Sequence, residues 1–393
     1  MRDIGAPGDS PDRELAKAGW SYHHGLIRKR RMRRASRGRV DASADIVVET
    51  ACRIFADLGE PRTVNRLDNE GWKAKLWRAL VEAGLTLAWV PEQHGGAGAG
   101  TADGFAIIRA AGQFAAAVPL ADTLLAGWLL SRAGISSPAG AMAVAPMRPG
   151  DRVTRNADGS LSGRARGVAF AQDALHLAVL TDDTATSSIA LVESAQCRIA
   201  VGRSLAGDAL DTVTFDGARP IHIAPAPEHF DQSSLMLMGA TARSVAISGA
   251  LESALDLTVQ YANERVAFGR PIGKFQAVQH GLARLAGEVA AAMTASGSAA
   301  DAIAQSERFD DGVFLEVASA KIRSAEAAQE GTAIAHQVHG AIGFTKEHVL
   351  HRFTLRMLSW RDDFGNESHW AAALGNRLAA RGSDELWPLL ASR

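Results

Sequence analysis

Cysteine and tyrosine are almost missing from this chain, which spreads two of each over 393 residues. Cys52 and Cys197 lie far apart and match no metal spacing, so the sequence carries neither a disulfide framework nor a zinc motif. A reducing cytoplasm is the expected setting. No apolar run reaches the length that would span a membrane, and no membrane association is expected. Charge is balanced at a formal −1, and 47% of the residues are hydrophobic. That composition describes an ordinary globular protein long enough for two or three packed units.

Residues 1–43 read differently from the rest. Arg28, Lys29, Arg30, Arg31, Arg33, Arg34, Arg37 and Arg39 crowd one segment with almost nothing apolar between them. Such a block repels itself and is expected to be a disordered basic extension. Nucleic-acid binding is not expected from it, because no interleaved aromatics or folded DNA-binding motif accompany it. The expected account is an upstream extension, with Met32 as the true start.

Three patterns succeed one another along the chain. From 44 to 141 the apolar spacing is helical, as in Ile46, Val47, Ile54 and Phe55 and again in Trp72, Leu76 and Leu80. The run GGAGAG at 95–100 follows no clean strand, so it reads as a glycine-rich connection between helices rather than a dinucleotide loop. Between 142 and 230, short apolar runs such as 177–180, 189–192 and 212–215 alternate with turn residues, predicting a small antiparallel β domain. From 231 to 393 long alanine-rich helices predict an antiparallel bundle.

Two stretches carry chemistry. In YANERVAFGRPIGKFQAVQH (261–280) a helix is expected to reach Phe268-Gly269, where Gly269, Pro271 and Gly273 break it, and a second to start near Phe275. The turn presents Arg265, Arg270 and Lys274. Those cations beside a helix N-terminus can seat a diphosphate, or can simply form a basic corner in solvent. The second stretch is QVHGAIGF, residues 337–344. Together the two resemble the carboxy-terminal helical domain of the acyl-CoA dehydrogenases, a family of FAD enzymes. Arg265, Phe268, Gly269, Pro271, Ile272, Phe275 and Gln276 match the family's R-x-x-F-G-x-P-I-x-x-F-Q run. Gln337, His339, Gly340, Gly343 and Phe344 match its Q-x-H-G-G-x-G-[FY] run, with Ala341 replacing one glycine.

The resemblance implies a mainly α protein with a small β domain: an N-terminal helical domain, a middle antiparallel β-barrel and a C-terminal four-helix bundle. It implies FAD as cofactor, an acyl-CoA substrate, an electron-transfer flavoprotein as acceptor, and a homo- or hetero-tetramer. Carried over residue by residue, the positions that serve the FAD of a neighbouring subunit are Arg265, Phe268, Gln276, Gln337, Gly340 and Ala341, with Asn366 a looser match near the adenine. Arginine suits the diphosphate because its planar fork can grip two phosphate oxygens. His339 and His351 read as packing groups. The family's acidic-Gly-Ser-Asp loop and W-I-[ST] strand, which hold the flavin ring, have no copy here, where 163–172 reads GRARGVAFAQ.

The implied reaction is α,β-dehydrogenation of the thioester, in which a carboxylate removes the α-proton while the β-hydrogen leaves as hydride. Such a base belongs in an apolar cleft that raises its pKa. Phe364 falls on the family's usual glutamate position, before Gly365, and the minority position falls on or near Gly239. Both therefore lack an acid. Asp363 is the best local substitute, with Asp362 and Glu367 behind it, unless all three merely introduce the last helix. Two functions are implied: FAD-dependent dehydrogenation of an acyl-CoA to its 2-enoyl thioester, or a catalytically degenerate subunit that completes a partner's FAD site.

Overall fold

The structure, a computed structural model, describes residues 42–393 apart from 68, 184–186, 307, 383, 385 and 392–393. The basic block expected in the extension lies outside the described residues, and Ala42 and Ser43 already open the first helix. The amino-terminal helices are α1 (Ala42–Leu58), the single turn α2 (Pro61–Val64), α3 (Gly71–Glu82), α4 (Thr101–Gln113) and α5 (Leu120–Arg132). The 95–100 run is a connection without regular structure that leads into α4. Glycine also sets helix spacing here. A Cβ at Gly112 of α4 would lie 2.1 Å from the carbonyl oxygen of Ala246, and one at Gly249 would lie 2.2 Å from that of Arg109. Only hydrogen at both positions lets the two backbones approach this closely.

Eight short strands come next: β1 (Met142–Ala145), β2 (Arg152–Arg155), β3 (Leu161–Ala169), β4 (His176–Leu180), β5 (Ser188–Glu193), β6 (Arg198–Ala200), β7 (Leu210–Ala218) and β8 (His222–Pro225). They form two open four-stranded sheets, ordered β1-β4-β5-β8 and β2-β3-β7-β6. The expected antiparallel barrel is therefore corrected on two counts. Closure requires the outer strands to pair, and among the described residues β1, β8, β2 and β6 remain edges. The β1–β4 pair is also parallel, with Met142 opposite His176. Alternation in β7 still marks one buried face, where Asp211, Val213 and Phe215 point inward.

The helix α6 (Gln232–Glu264) is the spine of the carboxy-terminal helices. Asp231 caps it by accepting from the Ser234 amide at 3.1 Å. Every residue from Ser234 to Leu251 is buried, and the helix is apolar nearly all round, as expected of an element enclosed on every side. By length and composition alone it could cross a membrane, yet its apolar window lies wholly inside the protein. After it come a two-stranded hairpin, β9 (Val266–Ala267) with β10 (Arg270–Pro271), and helices α7 (Gln276–Gln305), α8 (Asp311–His339), α9 (Leu350–Trp360), α10 (Glu367–Arg381) and α11 (Leu386–Ala391). Ile247, Leu251 and Leu257 of α6 pack with Leu285 and Val289 of α7 and with Phe353 and Met357 of α9. Burial of each such side chain is worth about 1.5–3 kcal/mol.

Candidate active site and nucleotide groove

The two positions expected to carry a base are packed against each other. Phe364 sits in the turn between α9 and α10, fully buried, and its ring covers Gly239 of α6. A Cβ on Gly239 would stand 2.3 Å from the ring carbons. Neither position holds an acid, and the ring fills the space between them. The turn that delivers Phe364 is left-handed at two successive residues, φ +55° at Phe364 and +90° at Gly365. A phenylalanine there is strained unless its surroundings hold it. They do so at both backbone polar groups: its amide donates to the Met147 carbonyl at 3.0 Å, and its carbonyl accepts from the Trp370 indole at 2.9 Å.

Asp363 lies one residue earlier and is also buried. Its Oδ2 accepts from Arg243 Nε at 2.9 Å, and Arg243 Nη2 donates to Asp122 Oδ1 of α5 at 2.6 Å. One buried guanidinium thus joins α6 to α5 and to the α9–α10 turn. Gly239 and Arg243 stand one helical turn apart, so Phe364 and Asp363 grip the same face of α6 side by side. Burial pushes the Asp363 carboxyl above the ordinary carboxylate range, while Arg243 and Lys321 pull it back. Burial likewise works against the charge on Arg243, but the two aspartates outweigh it and hold that pKa above the ordinary value. Lys321 of α8 is completely buried and donates to the Trp360 carbonyl at 2.9 Å. Burial brings its pKa down to about 7. What remains open beside Asp122, Arg243, Asp363, Phe170 and Trp360 is a cavity of about 40 Å³. That is room for about one water molecule.

The groove is different in kind. It is an open depression of about 560 Å³ lined by Gln329, Thr332, His336, Gln337, Phe344 and Leu358, with Ala333, Gly340 and Ala341 between them. Three of the expected cofactor residues, Gln337, Gly340 and Ala341, meet here. Arg265, Phe268 and Gln276 do not line it. They occupy the neighbouring hairpin and the start of α7, and the Tyr261 ring, four residues before Arg265, stacks on His339 at 4.5 Å. The helix expected to reach Phe268 ends at Glu264 instead. Ala267 pairs with Arg270, and the intervening Phe268 and Gly269 take φ +51° and +78°. Two positive values in a two-residue loop make a type I′ turn, whose twist suits a hairpin. The turn thrusts Phe268 outward, 96% exposed. Asn366 lies apart from both groups and caps α10, accepting from the His369 amide at 3.0 Å.

Sequence reasoning passed over Asp122, Arg243 and Lys321, although two cations inside apolar helical runs (TARSVAIS and ASAKIRSA) are the available signal. It also missed Thr332 and His336. Thr332 Oγ1 and His336 Nδ1 are buried without a hydrogen-bond partner among the described residues. Both atoms are buried beneath the groove surface; the groove itself, with apolar walls and exposed Gln337 at its edge, has the width for a planar heteroaromatic base such as the adenine of FAD.

Comparison with known proteins agrees with this layout. Residues 42–136 match the model of the acyl-CoA dehydrogenase N-terminal domain, and residues 232–367 match that of the acyl-CoA dehydrogenase C-terminal domain. The chain belongs to the acyl-CoA dehydrogenase family. It is 28% identical over 321 residues to acyl-CoA dehydrogenase IpdE2 of Mycobacterium tuberculosis, covering 78% of this chain and 88% of that one. Among solved structures it resembles the ChsE4-ChsE5 complex of Mycobacterium tuberculosis, with a TM-score of 0.76, 24% identity and coverage of 87% and 98%. It also resembles a variant of the steroid ACAD Tcur3481-Tcur3483, with a TM-score of 0.74, 25% identity and coverage of 86% and 98%.

Proposed function

We propose that this chain is the non-catalytic member of a heteromeric FAD-dependent acyl-CoA dehydrogenase and completes the FAD site of a homologous partner chain. The observation that carries the reading is the mutual filling of the two base positions, Phe364 lying directly on Gly239. A general base must come within hydrogen-bond reach of the proton it removes. Here the nearest carboxylate, Asp363, is engaged by Arg243, and the space beside it holds about 40 Å³. The groove, by contrast, is open and keeps polar atoms without partners. Gln337, Gly340 and Ala341 would receive the adenosine end of a partner's FAD, and Arg265 on the adjoining hairpin its diphosphate, flanked by Phe268 and Gln276. Bound FAD supplies the oxidant that converts an acyl-CoA to its 2-enoyl thioester. The 25% identical steroid ACAD Tcur3481-Tcur3483 joins two names, which supports a paired assembly. A tetramer with two copies of each chain, reoxidised by an electron-transfer flavoprotein, completes the proposal.

One observation favours a second reading. Burial raises the Asp363 carboxyl, as a base for α-proton removal requires. In that reading the chain is a dehydrogenase on its own, and Asp363 must leave Arg243 during turnover. The visible absorption spectrum separates the two. The chain purified alone should be colourless and should gain an oxidised flavin band only when co-expressed with a homologous chain. A flavin band in the lone chain that bleaches when acyl-CoA is added without oxygen would sink the subunit reading.

A further inference from the structure

Four histidines, of which only His336 lines the groove, gather on the turn that shapes it. His336 and His339 close α8, His348 lies near the end of the 340–349 turn, and His351 stands in the first turn of α9. Their rings fall into two groups, His339 and His348 with Tyr261, and His336 with Phe344, while His351 makes no ring contact with them. His339 lies 4.6 Å from His348 and 4.5 Å from Tyr261, and His336 lies 4.3 Å from Phe344, which lines the groove. Hydrogen bonds fix several protonation sites. His339 Nδ1 must donate to the Ala335 carbonyl at 2.7 Å, and His351 Nδ1 to the His348 carbonyl at 2.8 Å. His348 Nδ1 accepts from the Leu350 amide at 3.2 Å, so a proton there breaks that contact. His339 Nε2 and His336 Nδ1 are buried without partners among the described residues.

A new charge in this cluster finds no acid acting on it among the described residues. The charges acting on the rings are Arg62 of α2, Lys346 of the turn, Arg352 and Arg356 of α9, and the other histidines. Tyr261 adds a neutral ring. Glu70 and Asp208 act instead on Arg352, Asp208 is also bound by Arg356, and Glu347 lies exposed. Burial first, and then these cations, hold His336, His348 and His351 below the usual imidazole range; burial does so for His339. The effect is largest at His348, down to about 4 from 6.5.

We propose that this cluster is an acid-operated release built into the groove. Protonation lifts the 340–349 turn and dismantles the wall formed by Gly340, Ala341 and Phe344, so that the nucleotide end of the partner's cofactor lets go. The release of nucleotide rests on the groove's being the partner's FAD site; the lifting of the turn does not. The sign comes from linkage. A base whose folded pKa is depressed leaves the unfolded or lifted turn binding more protons between the two values, so order in the turn is complete above about pH 6.5 and is lost as the pH falls toward about 4.

The test is hydrogen–deuterium exchange of the full chain at pH 7 and pH 5, corrected for intrinsic chemistry, with ADP binding measured at both pH values. Exchange at 340–349 should rise about tenfold or more at pH 5 while α6 and the sheets stay protected; His348→Phe should hold the rise to about threefold or less, and His339→Phe should lower it by a smaller factor. Two separate variants guard against one failing to fold, and each keeps an aromatic ring in the cluster. The proposal is overturned if the turn stays protected at pH 5, if both variants loosen as the parent does, or if loosening comes only with global unfolding. ADP that binds equally at both values also overturns it. Absence of ADP binding at pH 7, with the acid loosening intact, counts against the groove's nucleotide reading alone.

Discussion

The closed cleft, lined by α4, α5 and α6, and the open groove on α8 meet only at α9 and obey opposite rules. In the cleft the charged groups are committed, Arg243 to two aspartates and Lys321 to Trp360, and the Phe364 backbone is held by Met147 and Trp370; of its lining side chains only Ser204 Oγ is buried without a partner among the described residues. In the groove, Thr332 and His336 are left with unpartnered atoms, and the nearby hairpin holds Phe268 almost wholly in solvent. A fold completes internally what it needs for its own stability and leaves incomplete what another molecule will finish. That asymmetry is what the proposed function assigns to a second chain.

The strongest way to break the comparison is at Arg243. Arg243→Met strands Asp122 and Asp363 as uncompensated buried acids, and urea unfolding at pH 7 should show a loss of about 3–5 kcal/mol. Removing both acids as well, in the triple variant with Asp122→Asn and Asp363→Asn, should recover most of that loss. A single Arg243→Met loss below about 1 kcal/mol would mean that water already reaches the ion pairs and that the cleft is not closed.

Lys321 sharpens the same side. Unfolded, its amine keeps a proton up to about pH 10.5; folded, it gives the proton up near 7. Between those values the unfolded chain binds more protons, so stability should rise with pH across that window and be lowest below about 7. The gap in unfolding free energy between Lys321→Met and the parent should shrink by about 2–4 kcal/mol from pH 7 to pH 10. A gap that stays constant would place water beside the amine.

Gly239 tests the plug itself. Gly239→Ala drives a methyl into the Phe364 ring and should cost about 1–3 kcal/mol. In a Phe364→Leu background the cost should fall, giving a coupling of about 0.5–3 kcal/mol by double-mutant cycle. Purely additive losses would mean that the two residues do not share their space.

These side chains also mark where the sequence stopped being readable. Helical periodicity located α3 and the long helices, because apolar spacing is a local property of the chain. The motif runs at 265–276 and 337–344 were legible for the same reason. The type I′ turn at Phe268-Gly269 was not, since phenylalanine seldom takes a positive φ and only the pairing of β9 with β10 enforces it. The open sheets were hidden as well, because strand-length runs do not reveal whether edges meet. The absence of acid at Gly239 and Phe364 could be read from each position separately. Their contact joins residues 125 positions apart, and no local pattern reports it.

The smallest expected change in stability falls on the groove side. Arg265→Ala and Gln337→Ala alter exposed side chains away from the core, so unfolding of the lone chain should move by less than about 0.5 kcal/mol. In the complex with a homologous partner the same changes should release flavin, Arg265→Ala more than Gln337→Ala, because a lost bidentate contact to phosphate costs more than a lost neutral amide contact. Flavin absorbance per complex after gel filtration reads the difference directly. If both variants keep the parent's flavin content and affinity, the open groove is not the partner's site. The contrast with the closed cleft would then describe only packing.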